Sequence, residues 1–163
     1  MARQRRPPET AAQRAETALL AELQALYQQA DALYAGYRCE GTTECCRFAI
    51  TGREPYVTAV ELRALERAVA ARGGHLKSAK RALPLAPRDG DERTCPLLDA
   101  GARCVVYQAR PFGCRTFWCH RADTDSPVSH KQMSALVAKL KDLAARHQPG
   151  GERGRPITRA LKG

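Results

Sequence analysis

Apolar residues recur at three-and-four spacing in three stretches of the chain, and each such stripe predicts a helix with one buried face. The first includes Leu19, Leu23, Leu26, Tyr27, Ala30, Leu33 and Tyr34. It predicts a long amphipathic helix from an N-cap at Thr10 to about Tyr37, closed by Gly36 and the polar run beyond it. The second opens at Thr58, followed three residues later by Glu61, a capping box that makes Glu61 a capping side chain rather than a ligand or an acid. That helix runs through Leu62, Leu65 and Val69 to the glycine pair Gly73 and Gly74, which suits a C-cap. The third carries Met133, Leu136, Val137, Leu140 and Leu143 to about His147, with Ser126 before Pro127, or else Ser129, as its cap.

Between these stripes the periodicity fails. Residues 39–58 contain Gly, Pro and Thr and read as loop, with a short strand near Phe48 to Ile50. Residues 75–94 hold two prolines and several cations and read as a helical turn and a loop, with His75 a surface residue. The expected fold is mainly α: a small helical domain with cysteine-bearing irregular loops between helices and at most a short strand pair. One domain, residues 9–147, is expected between a disordered basic N-terminus at 1–8 and a basic flexible tail at 148–163.

Seven cysteines occupy the irregular segments: Cys39, Cys45 and Cys46 upstream, then Cys95, Cys104, Cys114 and Cys119. The N-terminus lacks the apolar stretch of a secretory signal and no run of 18 apolar residues exists, so the reading is a cytoplasmic chain without a membrane span. In that compartment thiols stay reduced, and an odd count could not pair off completely in any case. Clustered thiolates there point to zinc or an iron-sulfur cluster, the metals that soft sulfur donors favour. Aromatic residues make up only 6% of the chain. A thiolate-bound zinc contributes on the order of 10 kcal/mol to folding, enough to compensate for a modest core.

The net charge of +10 brings nucleic acid into view, but its distribution argues against it. Arg3, Arg5 and Arg6 carry three charges, and Arg153, Arg155, Arg159 and Lys162 against Glu152 add three more. Basic ends of this kind are solvated tails more often than reading heads, and thiolates would offset the charge of the body. A protein partner bound through the helical surface is the preferred expectation.

Cys39, Cys45, Cys46 and Arg47, then Cys95-Pro-Leu-Leu98, then Cys104, Val106, Tyr107, Arg110, Pro111, Cys114, Arg115 and Cys119, together resemble the YkgJ-type cysteine-cluster family. Its pattern opens C-x2-C-x2-C-C-R, and its members are described as zinc- or iron-chelating, iron-sulfur cluster-containing domains. The resemblance covers residues 39–119 and implies that the seven cysteines are metal ligands. Thr42 stands where the family has a second cysteine. His120 or water could complete that site, or the site could be degraded. Arg47, Arg103, Arg115 and Arg121 are candidate neighbours that temper thiolate charge. Tyr107 and Phe117 are expected in the core or shielding the metal, and Trp118 over it. The same resemblance includes the cysteine segment of flagellin lysine methylases, so a redox enzyme or a component of a modifying system is the alternative to a structural metal. No nucleotide-binding glycine loop, paired carboxylates or nucleophile with an obvious base supports an enzyme.

Overall fold

The computed structural model describes residues 9–37, 41–74, 93–117 and 128–162. Helix α1 spans Ala11–Leu33. Thr10 caps it reciprocally with Gln13: the Thr10 hydroxyl accepts from Gln13 N, and the Gln13 side chain accepts from Thr10 N. Helix α3, Ala59–Ala71, opens on the Thr58–Glu61 box and ends in a Schellman turn. There Gly73 N donates to Ala70 O and Gly74 N to Val69 O, both glycines having positive φ. Helix α5, His130–His147, is capped by Ser129 with Gln132. The fold is thus mainly α, as the sequence stripes require.

These three helices pack into the first of two core clusters. Leu23, Leu26, Tyr27 and Ala30 of α1 meet Leu136, Leu140 and Leu143 of α5, and Val60 of α3 closes the third side. Phe112 enters this cluster from the short helix α4, Phe112–Arg115. The cysteine segment is therefore anchored in the helical core rather than lying on it.

The second cluster lies on the other side of α3. Leu65 and Val69 contact Phe48, Leu97, Val105 and Val106 from the cysteine-bearing segments, together with Ile157 and Ala160. Phe48 belongs to a helical turn, α2 (Phe48–Thr51), where a strand was expected. The strand pair forms elsewhere. Strand β1 (Tyr56–Val57) pairs antiparallel with β2 (Arg155–Pro156).

That pairing corrects the expected tail. Residues 155–160 form β2 and helix α6 (Ile157–Ala160), and Ile157 is 1% exposed. Arg153, Arg155 and Arg159 gave the segment a solvated look, but one apolar side chain in register with a core vacancy suffices to fix it. Glu54 secures it further, accepting from Thr158 N at 2.9 Å and from its hydroxyl at 2.5 Å. No helix among the described residues is long and apolar enough to cross a membrane.

Candidate metal centre

Three segments bring thiols to one place. The first is a single 3-10 turn, Glu44–Cys46, preceded by Thr43 in the left-handed region at φ 56°. This turn presents Cys45 at the surface and Cys46 half-buried. The second segment runs antiparallel to it: Phe48 N donates to Arg93 O and Cys95 N to Cys46 O, both at 2.8 Å, so Cys46 and Cys95 lie opposite each other. A tight turn then reverses the chain. Asp99 Oδ1 accepts from Arg103 N, Val105 N donates to Leu97 O, and Cys104 pairs with Leu98. Arg72, at the end of α3, fixes this hairpin by donating to Val105 O at 2.6 Å.

The third segment carries Cys114 on α4. Its start is set by Glu61, whose Oε1 accepts from Phe112 N at 2.7 Å and from the Tyr27 hydroxyl at 3.3 Å. Glu61 Oε2 accepts from Thr58 N at 2.9 Å and the Thr58 hydroxyl at 2.8 Å. Glu61 is thus a capping side chain, and also more than that. One buried carboxylate ties α1, α3 and the cysteine segment together.

Arg115 makes a parallel tie. Its guanidinium lies 4.2 Å from the Tyr27 ring, reaches Asp31 at 2.5 Å, and donates to the carbonyls of Arg110 and Gln108. It faces α1, not the thiols. Arg47 and Arg103 are exposed, and Arg121 lies outside the described residues.

Cys45, Cys46, Cys95, Cys104 and Cys114 all line one pocket of about 270 Å³. Its walls are Leu97, Val106, Pro111, Phe117 and Ile157, with Arg110 beside the thiols and Arg53 over the Phe117 ring at 5.0 Å. Of the two places expected for Tyr107, the core or the cover of the thiols, it takes the second: it is half-exposed and lines the pocket at the rim, with the Arg110 guanidinium 4.2 Å from its ring. Cys39, Cys119, His120 and Trp118 lie outside the described residues, as do residues 1–8, His75 and the Ser126-Pro127 alternative cap.

Four of these thiols give up a proton less readily than an ordinary cysteine. Burial pushes the Cys114 thiol up, and the neighbouring Cys46, Cys104 and Cys45 push it further. A hydrogen bond with Cys46 raises Cys45, with partial desolvation second. For Cys46 the bond to Cys45 pulls downward, but the bond to Cys95 and burial prevail and carry it up to about 12. Burial also raises Cys104, partly offset by the Arg110 charge. Closely spaced thiols in an apolar pocket cannot all ionise unless positive charge joins them. A soft divalent cation held by these cysteines would supply that charge and would have to displace their protons, so its uptake would rise with pH.

The donor set fits such an ion in kind: five sulfurs converge, and a guanidinium stands beside them. Among the described residues no three His, Cys, Asp or Glu side chains are already arranged to hold an ion. A second observation bears on the fit. Arg110 Nε is buried with no hydrogen-bond partner.

The fold and pocket define a small helical domain whose loops gather thiols in an apolar pocket with the Arg110 guanidinium beside them. Residues 38–136 match the model of the CxxCxxCC family, described as "Putative zinc- or iron-chelating domain", and the chain belongs to that family. Neither the curated proteins nor the solved structures give a match.

Proposed function

We propose that this is a cytoplasmic metal-binding protein in which Cys39, Cys45, Cys46, Cys95, Cys104, Cys114 and Cys119 hold zinc or an iron-sulfur cluster, the metal being mainly structural. The observation that carries this reading is the convergence of five thiols from three chain segments on one pocket. Metal bound there would cross-link three segments drawn from different parts of the chain, and an open position on it would add Lewis acidity. The chain's own contribution is positional. Glu61 and Arg115 fix α4 and Cys114, while the ladder from Cys46 to Cys95 fixes the opposing pair.

The partner proposed is a protein that meets the helical surface. Nucleic acid is the less favoured partner, since part of the positive charge of the described body is spent internally: Arg63 on Glu16, Arg115 on Asp31, and Arg146 on Glu22. An iron-sulfur redox enzyme or a component of a modifying system is the second reading. One observation favours it: the pocket is open and Cys45 is exposed, whereas structural sites are closed.

Anaerobic purification followed by elemental analysis and a visible spectrum tests the proposal. Stoichiometric zinc without colour supports the structural reading. Iron with acid-labile sulfide and a cluster absorption band moves the assignment to the second reading. Metal-free protein that takes up neither refutes both.

A further inference from the structure

Arg110 stands out among the cations near the thiols. Its side chain is 18% exposed, and its Nε is sealed from solvent without an acceptor. A buried donor in that state is costly, and native proteins rarely leave one so. The rest of the guanidinium is only weakly committed. One face lies on Tyr107 at 4.2 Å. Its nearest carboxylate, Asp31, is 3.8 Å away, and the other oxygen of that carboxylate is held by Arg115 at 2.5 Å. The pocket's own carboxylate, Glu54, is taken by Thr158. Arg110 therefore brings a surplus positive charge and an unused N–H to the pocket that the five thiols line.

We propose that Arg110 is the built-in donor and counter-charge of the thiol pocket, its Nε–H taking a ligand thiolate sulfur as acceptor when the site is loaded. This rests on the metal-binding reading above. A metal-bound thiolate is a charged and much stronger acceptor than the weakly accepting sulfur of a neutral thiol, so loading the site would supply the partner that the Arg110 Nε–H lacks. Sulfur bound to metal remains an acceptor. The same arginine offsets the excess negative charge of several thiolates around one divalent ion, which an apolar wall could not do.

The test compares the native full-length chain with Arg110→Gln, which loses the charge, and Arg110→Lys, which keeps the charge but loses the planar fork. Zinc affinity is read by competition with a chromophoric chelator, and the sulfur environment by the thiolate-to-cobalt charge-transfer band after cobalt(II) loading. Arg110→Gln should bind zinc about 10- to 100-fold more weakly, the range usual for groups supporting metal ligands. Its cobalt band should move to lower energy, since an undonated thiolate gives up electron density more readily. Arg110→Lys should recover part of the affinity but not the band position. If Arg110→Gln does not fold, Arg110→Lys alone decides, through a red-shifted band. Native affinity and an unshifted band in the folded variants would overturn the role of Arg110 and leave the metal site standing. Failure of the native chain to take up zinc or cobalt, or iron with sulfide on anaerobic reconstitution, would overturn both; uptake of iron and sulfide alone would overturn the role of Arg110 at a divalent ion and leave the metal site standing.

Discussion

Replacing Glu61 with Leu should destabilise the protein more than its place in a capping box suggests. A cap side chain is worth about 1 kcal/mol. Glu61, however, is 1% exposed and accepts from Thr58 N and Phe112 N, two buried backbone donors on different segments. Leucine would fill the space and leave both donors without partners. At about 1–3 kcal/mol each, the loss comes to about 2–6 kcal/mol. That is a large share of the ~5–15 kcal/mol available to a domain. Glu61→Gln keeps one carbonyl oxygen but sets an amide NH2 against the other donor, so about half the loss is expected. Tyr27→Phe removes only the 3.3 Å bond and should cost about 0.5–1 kcal/mol.

Urea unfolding followed by far-ultraviolet circular dichroism measures all three. Burial, outweighing the hydrogen bonds from Thr58 and Phe112, raises the Glu61 carboxyl above its ordinary range. Its stabilising contribution is then full in acid, below that range, and is lost as pH climbs through the raised value. The gap between native and Glu61→Gln protein should accordingly be widest in acid and narrow towards neutrality. A Glu61→Leu chain that stays within about 0.5 kcal/mol of the native one, the effect of an ordinary surface change, would refute the role given to this carboxylate.

Ile157→Ala should cost about 2–5 kcal/mol, because the side chain is buried in the second core; an unchanged melting temperature would restore the flexible tail. Gly151→Ala should cost about 1–3 kcal/mol, since a Cβ there would meet Ala144 O at 2.6 Å and Gln148 O at 2.8 Å; calorimetry decides it. The double change Cys114→Ser with Cys119→Ser should lower the metal-to-protein ratio and the melting temperature together, and unchanged values would remove both from the ligand set.

The three long helices were legible because each has a stripe at helical spacing and a capping residue before it, two signals that depend only on neighbours in the chain; the reciprocal box was legible at Thr58–Glu61 alone, those at Thr10 and Ser129 appearing with the structure. The thiol-bearing loops were legible as loops, but not in shape. The ladder joining Cys46 to Cys95 depends on residues about fifty positions apart, and a non-glycine residue such as Thr43 gives no sign in the chain of its φ of 56°. The cations show the same limit. Arg115 adjoins Cys114 in sequence, yet α4 turns it onto Tyr27, while Arg110, four residues before Cys114, comes to the pocket. Its only signal in the chain was its place in the family's Arg-Pro motif. The last segment was misread because its charge outnumbers its apolar residues, and a single isoleucine has no periodicity to reveal it. Glu61 was legible as a cap, but its bond to Phe112, 51 positions away, was not.

The bond from Glu54 to Thr158 spans 104 positions, and Ile157 beside it forms one wall of the thiol pocket. The last cysteine is Cys119, and a ribosome adding about 5–20 residues per second needs about 2–8 s to go from there to Ile157. Through that interval the chain has all its sulfurs but not that wall. The nascent chain therefore meets the cell's metal supply with its thiols at their most accessible, and the closing isoleucine arrives after the choice of ion can already have been made.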